Sequence, residues 1–223
     1  MNAKRCFDVL VSLSLLLLLA PVIGILVVAV RALLGRPIFF RQLRPGLGGK
    51  CFKLIKFRTL TEDCDSDGQP LPDAQRLHPF GNWLRRHSLD ELPELINVLR
   101  GDMSLVGPRP LLVEYLERYT AKQARRHEVL PGITGWAQIH GRNAISWEEK
   151  FTLDVWYVDN SSFWLDMWIL VLTLIHGLNC DGVTAPGKAT ATKFLGTSAK
   201  KQHDSVMDDD ALTHTPTNTE YQK

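Results

Sequence analysis

The chain has 223 residues, a formal net charge of +2, 45% hydrophobic and 22% charged residues. That length suits one domain or a domain with an appendage, and the composition excludes a collagen, a coiled coil, a fully disordered chain and a polytopic membrane protein. The near-neutral total also excludes a strongly basic nucleic-acid binder, but it conceals an asymmetry: residues 1–60 hold ten Lys/Arg against one acid, Asp8, whereas residues 61–223 hold sixteen against twenty-three acids.

The first element is apolar. Val9–Val30 is 22 residues without a charge, longer than the roughly 20 residues that cross a hydrocarbon core. A cleaved signal peptide fits poorly, because Asp8 abuts the run and Arg31 stands where small cleavage-site residues belong. A plain transmembrane span and a re-entrant hairpin both remain open. Pro21 lies near the middle, where it removes a donor and crowds the Leu17 carbonyl. It divides the run into limbs Val9–Leu19 and Val22–Val30, about 16 Å and 14 Å long at helical rise, neither able to span alone. Lys4 and Arg5 precede the run, and Arg31, Arg36, Arg41 and Arg44 follow it. A hairpin keeps both basic flanks on the cytoplasmic side near anionic membrane lipids; a span puts one outside.

Downstream, Ile38–Gln42 and Cys51–Phe57 alternate around Pro45–Gly49 and predict a β-hairpin. Thr61–Pro72 reads as an acidic loop, and Ala74–Arg86 and Leu89–Leu99 as helices. Leu111–Tyr119 and Ala121–Leu130 predict two further short helices. Gly135–Ile139 predicts a short strand after the Pro131-Gly132 turn. Ser146–Tyr157 predicts a helix with a Ser146/Glu149 capping box. Phe163–Leu178 is apolar but carries Asp166 and His176, and at 16 residues it is short for a span. Trp164 and Trp168 share one face and suit an interfacial helix. From Thr197 the chain turns polar and reads as a disordered tail. Cys6, Cys51, Cys64 and Cys180 form no C-x-x-C pair, which argues against a zinc site and for free thiols in a reducing compartment.

The chemistry-bearing stretch is Arg85–Pro93. Leu89, Leu92, Leu95, Ile96 and Leu99 share an apolar face, Ser88 and Glu91 have capping-box spacing, and Pro93 requires the helix to begin near Leu89. Asp90 and Glu91 then fall in a first turn. Acids there complement the helix dipole and need no further purpose. The functional reading makes one carboxylate a nucleophile and the other a metal ligand or base beside a phosphate-attracting helix end. Pro108-Arg109-Pro110 fixes the φ on both sides of an arginine, which suits bidentate phosphate binding. Lys56 and Arg85 add charge if they face the same site; each also reads as an ordinary surface cation.

From Lys4 to Gly196 the chain resembles the bacterial sugar transferase family, the small monotopic phosphoglycosyl transferases. The resemblance is carried by Lys53–Thr59, Ser88–Pro93, Asn97–Ser104, Val106–Pro110 and Pro131–Gln138. Gly141–Trp147 is similar to the subgroup whose sugar is N,N′-diacetylbacillosamine. The resemblance implies a mainly α fold with a small β-hairpin. It also implies a re-entrant helix over residues 1–36, kinked at Pro21, and a cytoplasmic catalytic domain over 37–196, ahead of the polar tail at 197–223. It implies transfer of a sugar-1-phosphate from a UDP-sugar to undecaprenyl phosphate at the inner membrane, with release of UMP and a need for Mg²⁺. Asp90 would be the nucleophile that forms an aspartyl-phosphosugar, and Glu91 would assist as metal ligand or base, the two carboxylates together being the metal-site candidates. Lys56, Arg85 and Arg109 would bind phosphate, and Asp166 would be a further active-site acid. Downstream glycosyltransferases or a second copy would be additional partners. The family often breaks its membrane helix at Ser-Pro; here the pair is Ala20-Pro21. A non-catalytic membrane-surface module that recruits glycan enzymes, and a hydrolase that turns over without lipid, stay open as alternatives.

Overall fold

The computed structural model describes residues 3–141, 145–178 and 193–196. The helices are α1 (Ala3–Leu18), α2 (Ala20–Leu33), α3 (Asp73–Arg76), α4 (Pro79–Arg86), α5 (Glu94–Arg100), α6 (Ala121–Ala124), α7 (Trp136–Ile139), α8 (Trp147–Asn160) and α9 (Phe163–Leu178). The strands are β1 (Phe39–Pro45), β2 (Cys51–Phe57), β3 (Ser104–Val106) and β4 (Gly132–Thr134).

The apolar run is broken, but at Leu19 rather than at the proline. α1 and α2 meet at 64°, and Pro21 sits in the first turn of α2. A proline is tolerated there because that turn's N–H groups have no intrahelical partner in any case. Neither helix alone is long and apolar enough to cross a membrane; only the bent pair together reaches that length. Both limbs are bound to the rest of the molecule. Phe7, Val11, Leu15 and Leu16 of α1 pack on Leu95, Val98, Leu105 and Ile169, and Ile23, Leu26, Val27 and Val30 of α2 pack near Phe57 and Leu84. The basic flanks, expected to face headgroups, are partly used inside the protein. Arg5 donates to the Val98 and Leu99 carbonyls at 2.6 and 2.9 Å, which caps the C-terminal end of α5. Arg58 caps α2 through the Leu34 and Arg36 carbonyls. Asp8 is buried and accepts from Ser104 Oγ at 2.8 Å and the Leu105 N–H at 3.2 Å, which ties α1 to β3.

β1 and β2 form the expected antiparallel hairpin, Phe39 opposite Phe57 and Pro45 opposite Cys51. Its turn uses Gly48 and Gly49 at positive φ. The expected helix Ala74–Arg86 is instead α3 and α4. Pro79 forces His78 into an extended conformation (ψ 143°), and the His78 ring accepts from the Phe80 N–H at 3.1 Å. Leu89–Leu99 also divides, into a 3₁₀ turn at Leu89–Glu91 and then α5. Ser88 makes no side-chain cap; it lies in the left-handed region at φ 54°. Leu111–Tyr119 contains a 3₁₀ turn, Val113–Arg118, and Ala121–Leu130 is α6 followed by a 3₁₀ turn, Arg125–His127.

The largest correction is at Gly135–Ile139, which is helical as α7. The strand is Gly132–Thr134, parallel to β3. Glycines decide this. A Cβ on Gly107 would lie 2.2 Å from the Leu130 carbonyl oxygen, and one on Gly132 would lie 2.1 Å from the Gly107 nitrogen. The two backbones therefore approach as only unsubstituted residues can, and a parallel pair forms where periodicity gave no strand signal. α8 has its Ser146/Glu149 capping box, and α9 has the expected bounds.

Candidate active site

The site is assembled from four segments. β2 supplies Lys56. Asn97, fully buried on α5, fixes that strand by accepting from the Ile55 N–H at 3.1 Å and donating to the Lys53 carbonyl at 2.8 Å. The 3₁₀ turn supplies Asp90 and Glu91. The loop after β3 supplies Arg109, and α4 supplies Arg85. α4 is held close by Gly81, where a Cβ would fall 1.9 Å from the Thr59 carbonyl oxygen; Arg85 Nε in turn donates to Thr59 Oγ1 at 2.9 Å.

Glu91 is the centre of the cluster. Its Oε1 lies 2.7 Å from Lys56 Nζ and is paired with the Arg109 guanidinium, while Oε2 has one longer contact with Arg109 Nη1 at 3.4 Å. Burial alone would raise the Glu91 carboxyl, but the two cations outweigh it and hold it well below the usual carboxylate range. Glu91 in return strengthens the charge of Arg109. Lys56 is likewise raised, burial being outweighed by Glu91 and Glu94.

Asp90 is only 8% exposed, and among the described residues no hydrogen bond or ion pair engages its carboxylate. Burial and the neighbouring charge of Glu91 raise its pKa, opposed by Lys56, Arg109 and Arg85. The expected helix end is not what opposes this rise, since α5 begins four residues later; the three cations oppose it in part. Asp90 is thus an available carboxylate in a cationic setting, as nucleophilic attack on phosphorus requires.

Arg109 keeps 42% of its side chain exposed, so it can meet a ligand. Its backbone is held from behind. Buried Arg126 donates to the Arg109 carbonyl at 2.8 Å and pairs with buried Asp154 at 2.7 Å. The Arg126 guanidinium also lies over the Tyr119 and Phe151 rings.

Lys56, Arg85, Asp90, Glu91 and Arg109 therefore converge. Asp166 makes its polar contacts with other residues. It is buried on α9, pairs with Lys4, and lies 2.6 Å from the Tyr157 hydroxyl; Lys4 also donates to the Val106 carbonyl at 3.1 Å. Asp166 joins α1, α8 and α9 to the strand that leads to Arg109. Sequence reasoning missed Glu94, Asn97 and the Arg126–Asp154 pair. Their common signal was a polar residue among apolar ones, at Glu94 and Asn97 within α5 and at Asp154 within α8.

Among the described residues no group of three or more His, Cys, Asp or Glu could hold a metal by itself. The donor set fits Mg²⁺ in its less demanding mode, in which one or two carboxylates share the ion with substrate phosphates. Glu91 Oε2 is lightly held and Asp90 is uncommitted, so both carboxylates suit that arrangement.

The family model described as bacterial sugar transferase matches residues 1–179. The uncharacterized sugar transferase EpsL of Bacillus subtilis (strain 168) is 57% identical over 196 residues, 88% of this chain and 97% of that protein. The UDP-glucose:undecaprenyl-phosphate glucose-1-phosphate transferase of Escherichia coli (strain K12) is 40% identical over 184 residues, 78% of this chain and 40% of its own. The UDP-galactose-lipid carrier transferase of Erwinia amylovora is 39% identical over 197 residues, 80% of this chain and 41% of its own. The chain thus spans about two fifths of the length of these last two relatives.

Proposed function

The chain belongs to the bacterial sugar transferase family, and from that membership we propose that it moves a sugar-1-phosphate from a UDP-sugar to undecaprenyl phosphate, releasing UMP. The observation that carries the reading is the uncommitted Asp90 carboxylate beside Lys56, Arg85 and Arg109. An Asp90 oxygen attacks the β-phosphorus of the UDP-sugar. The bond from that phosphorus to the bridging oxygen breaks, and its electron pair leaves with UMP. An oxygen of the lipid phosphate then attacks the same phosphorus and returns Asp90 as a carboxylate. The two substrates differ in phase, and a covalent intermediate lets one site serve them in turn.

Arg109, with its exposed fork, grips the phosphate oxygens; Lys56 and Arg85 offset the charge that builds there. Glu91 keeps Lys56 and Arg109 in place between turnovers. Asp90 and Glu91 would hold Mg²⁺ together with the nucleotide phosphates, and the ion would supply charge neutralisation for the departing UMP. EDTA treatment followed by Mg²⁺ add-back checks this: activity should vanish and return.

The bent α1–α2 pair suits a hairpin that enters and leaves one leaflet. Outward Leu10, Leu17, Ile25 and Val28 on the pair, with Trp164, Trp168 and Leu174 on α9, are exposed in the isolated chain and match the apolar and aromatic belts of an interfacial protein. The bacterial cytoplasmic membrane, with the catalytic residues on its inner face, follows as the working location.

The test is UMP release from a panel of UDP-sugars, with and without undecaprenyl phosphate. Beyond the one UMP per enzyme expelled as the intermediate forms, wild type releases UMP in proportion to lipid, and Asp90→Asn releases none. Wild-type turnover in Asp90→Asn would end the nucleophile assignment, and lipid-independent turnover would make the protein a hydrolase. The panel also decides the sugar. UDP-glucose and UDP-galactose, donors in the relatives' names, compete with the N,N′-diacetylbacillosamine suggested by Gly141–Trp147, of which 142–144 lie outside the described residues.

A further inference from the structure

Glu94 is the first residue of α5 and is 2% exposed. Its Oε1 lies 3.0 Å from Lys56 Nζ, and Glu91 Oε1 lies 2.7 Å from the same nitrogen. A buried carboxylate is costly unless it is paired, so an acid among buried Leu95, Asn97 and Val98 calls for a purpose. Its depth keeps it from touching substrate, and among the described residues Lys56 is its ion-pair partner.

An ammonium group on a four-carbon stem has three rotatable donors and no preferred direction. Held by Glu91 alone, Lys56 would follow that side chain whenever Glu91 turned to another partner. Glu94 approaches from a different element, and α5 is itself locked to β2 through two Asn97 hydrogen bonds, one from the N–H of Lys56's neighbour Ile55 and one to the Lys53 carbonyl. The ammonium is therefore tied to a rigid pair of elements independently of the dyad. We propose that Glu94 is a positioning residue that holds Lys56 in the site, leaving Glu91 free to exchange partners when the sugar phosphate arrives. The inference rests on the reading of Lys56 as a phosphate-binding cation.

The test uses the full chain in membrane-mimetic discs and four variants: Glu94→Gln, Glu94→Met, Lys56→Met and the Lys56→Met/Glu94→Met pair. Glutamine keeps an oxygen acceptor, whereas methionine keeps volume without one. Glu94→Met is expected to lower kcat/KM for UMP release by about ten- to a hundredfold, the range by which small misplacements of a positioned group slow a reaction. Glu94→Gln should recover to within about threefold of wild type, since one acceptor suffices to hold the donor. In the Lys56→Met background, Glu94→Met should add almost nothing, because groups that act through one another are not additive. Equal losses in both backgrounds, or a glutamine variant as poor as the methionine one, would overturn the inference. A second readout needs no turnover: acylation of Lys56 by an amine-reactive ester, followed by peptide mass spectrometry, should be several-fold faster in Glu94→Met. An unchanged rate overturns the inference as well. If wild type releases UMP from no donor, the functional reading falls, and the acylation rate still decides the role of Glu94.

Discussion

Glu91, partly buried, and Glu94, fully buried, both flank Lys56, yet their pKa values shift in opposite directions. Arg109 and Lys56 force Glu91 down, whereas burial and the charge of Glu91 push Glu94 up to about 7. A carboxyl whose folded pKa exceeds its unfolded value binds its proton more tightly when folded. Stability from Glu94 is therefore full below its unfolded value of 4.5 and is lost as pH rises through about 7. His127 acts oppositely in part of that window, since burial and Arg126 lower it to about 4. The difference between wild type and Glu94→Gln isolates the carboxyl: thermal midpoints measured from pH 4 to pH 8 should show wild type losing ground to the variant as pH rises. Parallel curves would remove the elevated pKa. At Arg109, the alanine variant should lower kcat/KM by about a hundredfold or more, as loss of a transition-state donor does. Lysine should recover part of the charge but not the bidentate fork. An unimpaired Arg109→Ala would return the residue to the surface.

At the scale of elements, the sequence was most legible where one periodicity met clear punctuation. The hairpin alternates around glycines, and α8 and α9 have the capping and apolar patterns of their type. It was least legible where a proline or a close backbone approach overrode the pattern. Pro79 and Pro93 each divided a helix that the apolar spacing had joined. Gly107 and Gly132 made a parallel pair that no local alternation announces. In the site, the Asp90-Glu91 pair and Arg109 stood out by motif and spacing, whereas Lys56 and Arg85 read as surface cations and entered only through the family resemblance. Glu94, Asn97 and the Arg126–Asp154 pair did not stand out, because their roles arise from contacts between distant segments. That buried pair bears on the Pro108-Arg109-Pro110 loop. Asp154→Leu leaves the buried Arg126 charge without its counter-ion, so it should destabilise the fold by about 3 kcal/mol or more in urea titration, and Arg109-dependent activity should fall with it. A loss below about 1 kcal/mol, the scale of an exposed ion pair, would contradict the burial argument.

For the whole molecule, the near-neutral total charge conceals a one-sided arrangement. The basic first 60 residues hold the bent pair and Lys56, and α1 is bonded to α9, α5 and β3 through Lys4, Arg5 and Asp8. Such docking on the near side suits a hairpin better than a crossing. In bacterial cells expressing an Ala3→Cys variant that lacks the native cysteines, a membrane-impermeant maleimide should label nothing until the cells are opened. Labelling of intact cells would establish a span.

In the proposed reaction Asp90 carries the sugar phosphate between two phases. Intact-protein mass spectrometry after mixing the protein with its UDP-sugar, Mg²⁺ and no lipid tests it directly. The expected result is a mass gain of one phosphosugar that maps to Asp90, is absent in Asp90→Asn, and disappears when undecaprenyl phosphate is added. Lipid-linked product formed with no such adduct, or an adduct that persists in Asp90→Asn, would contradict it.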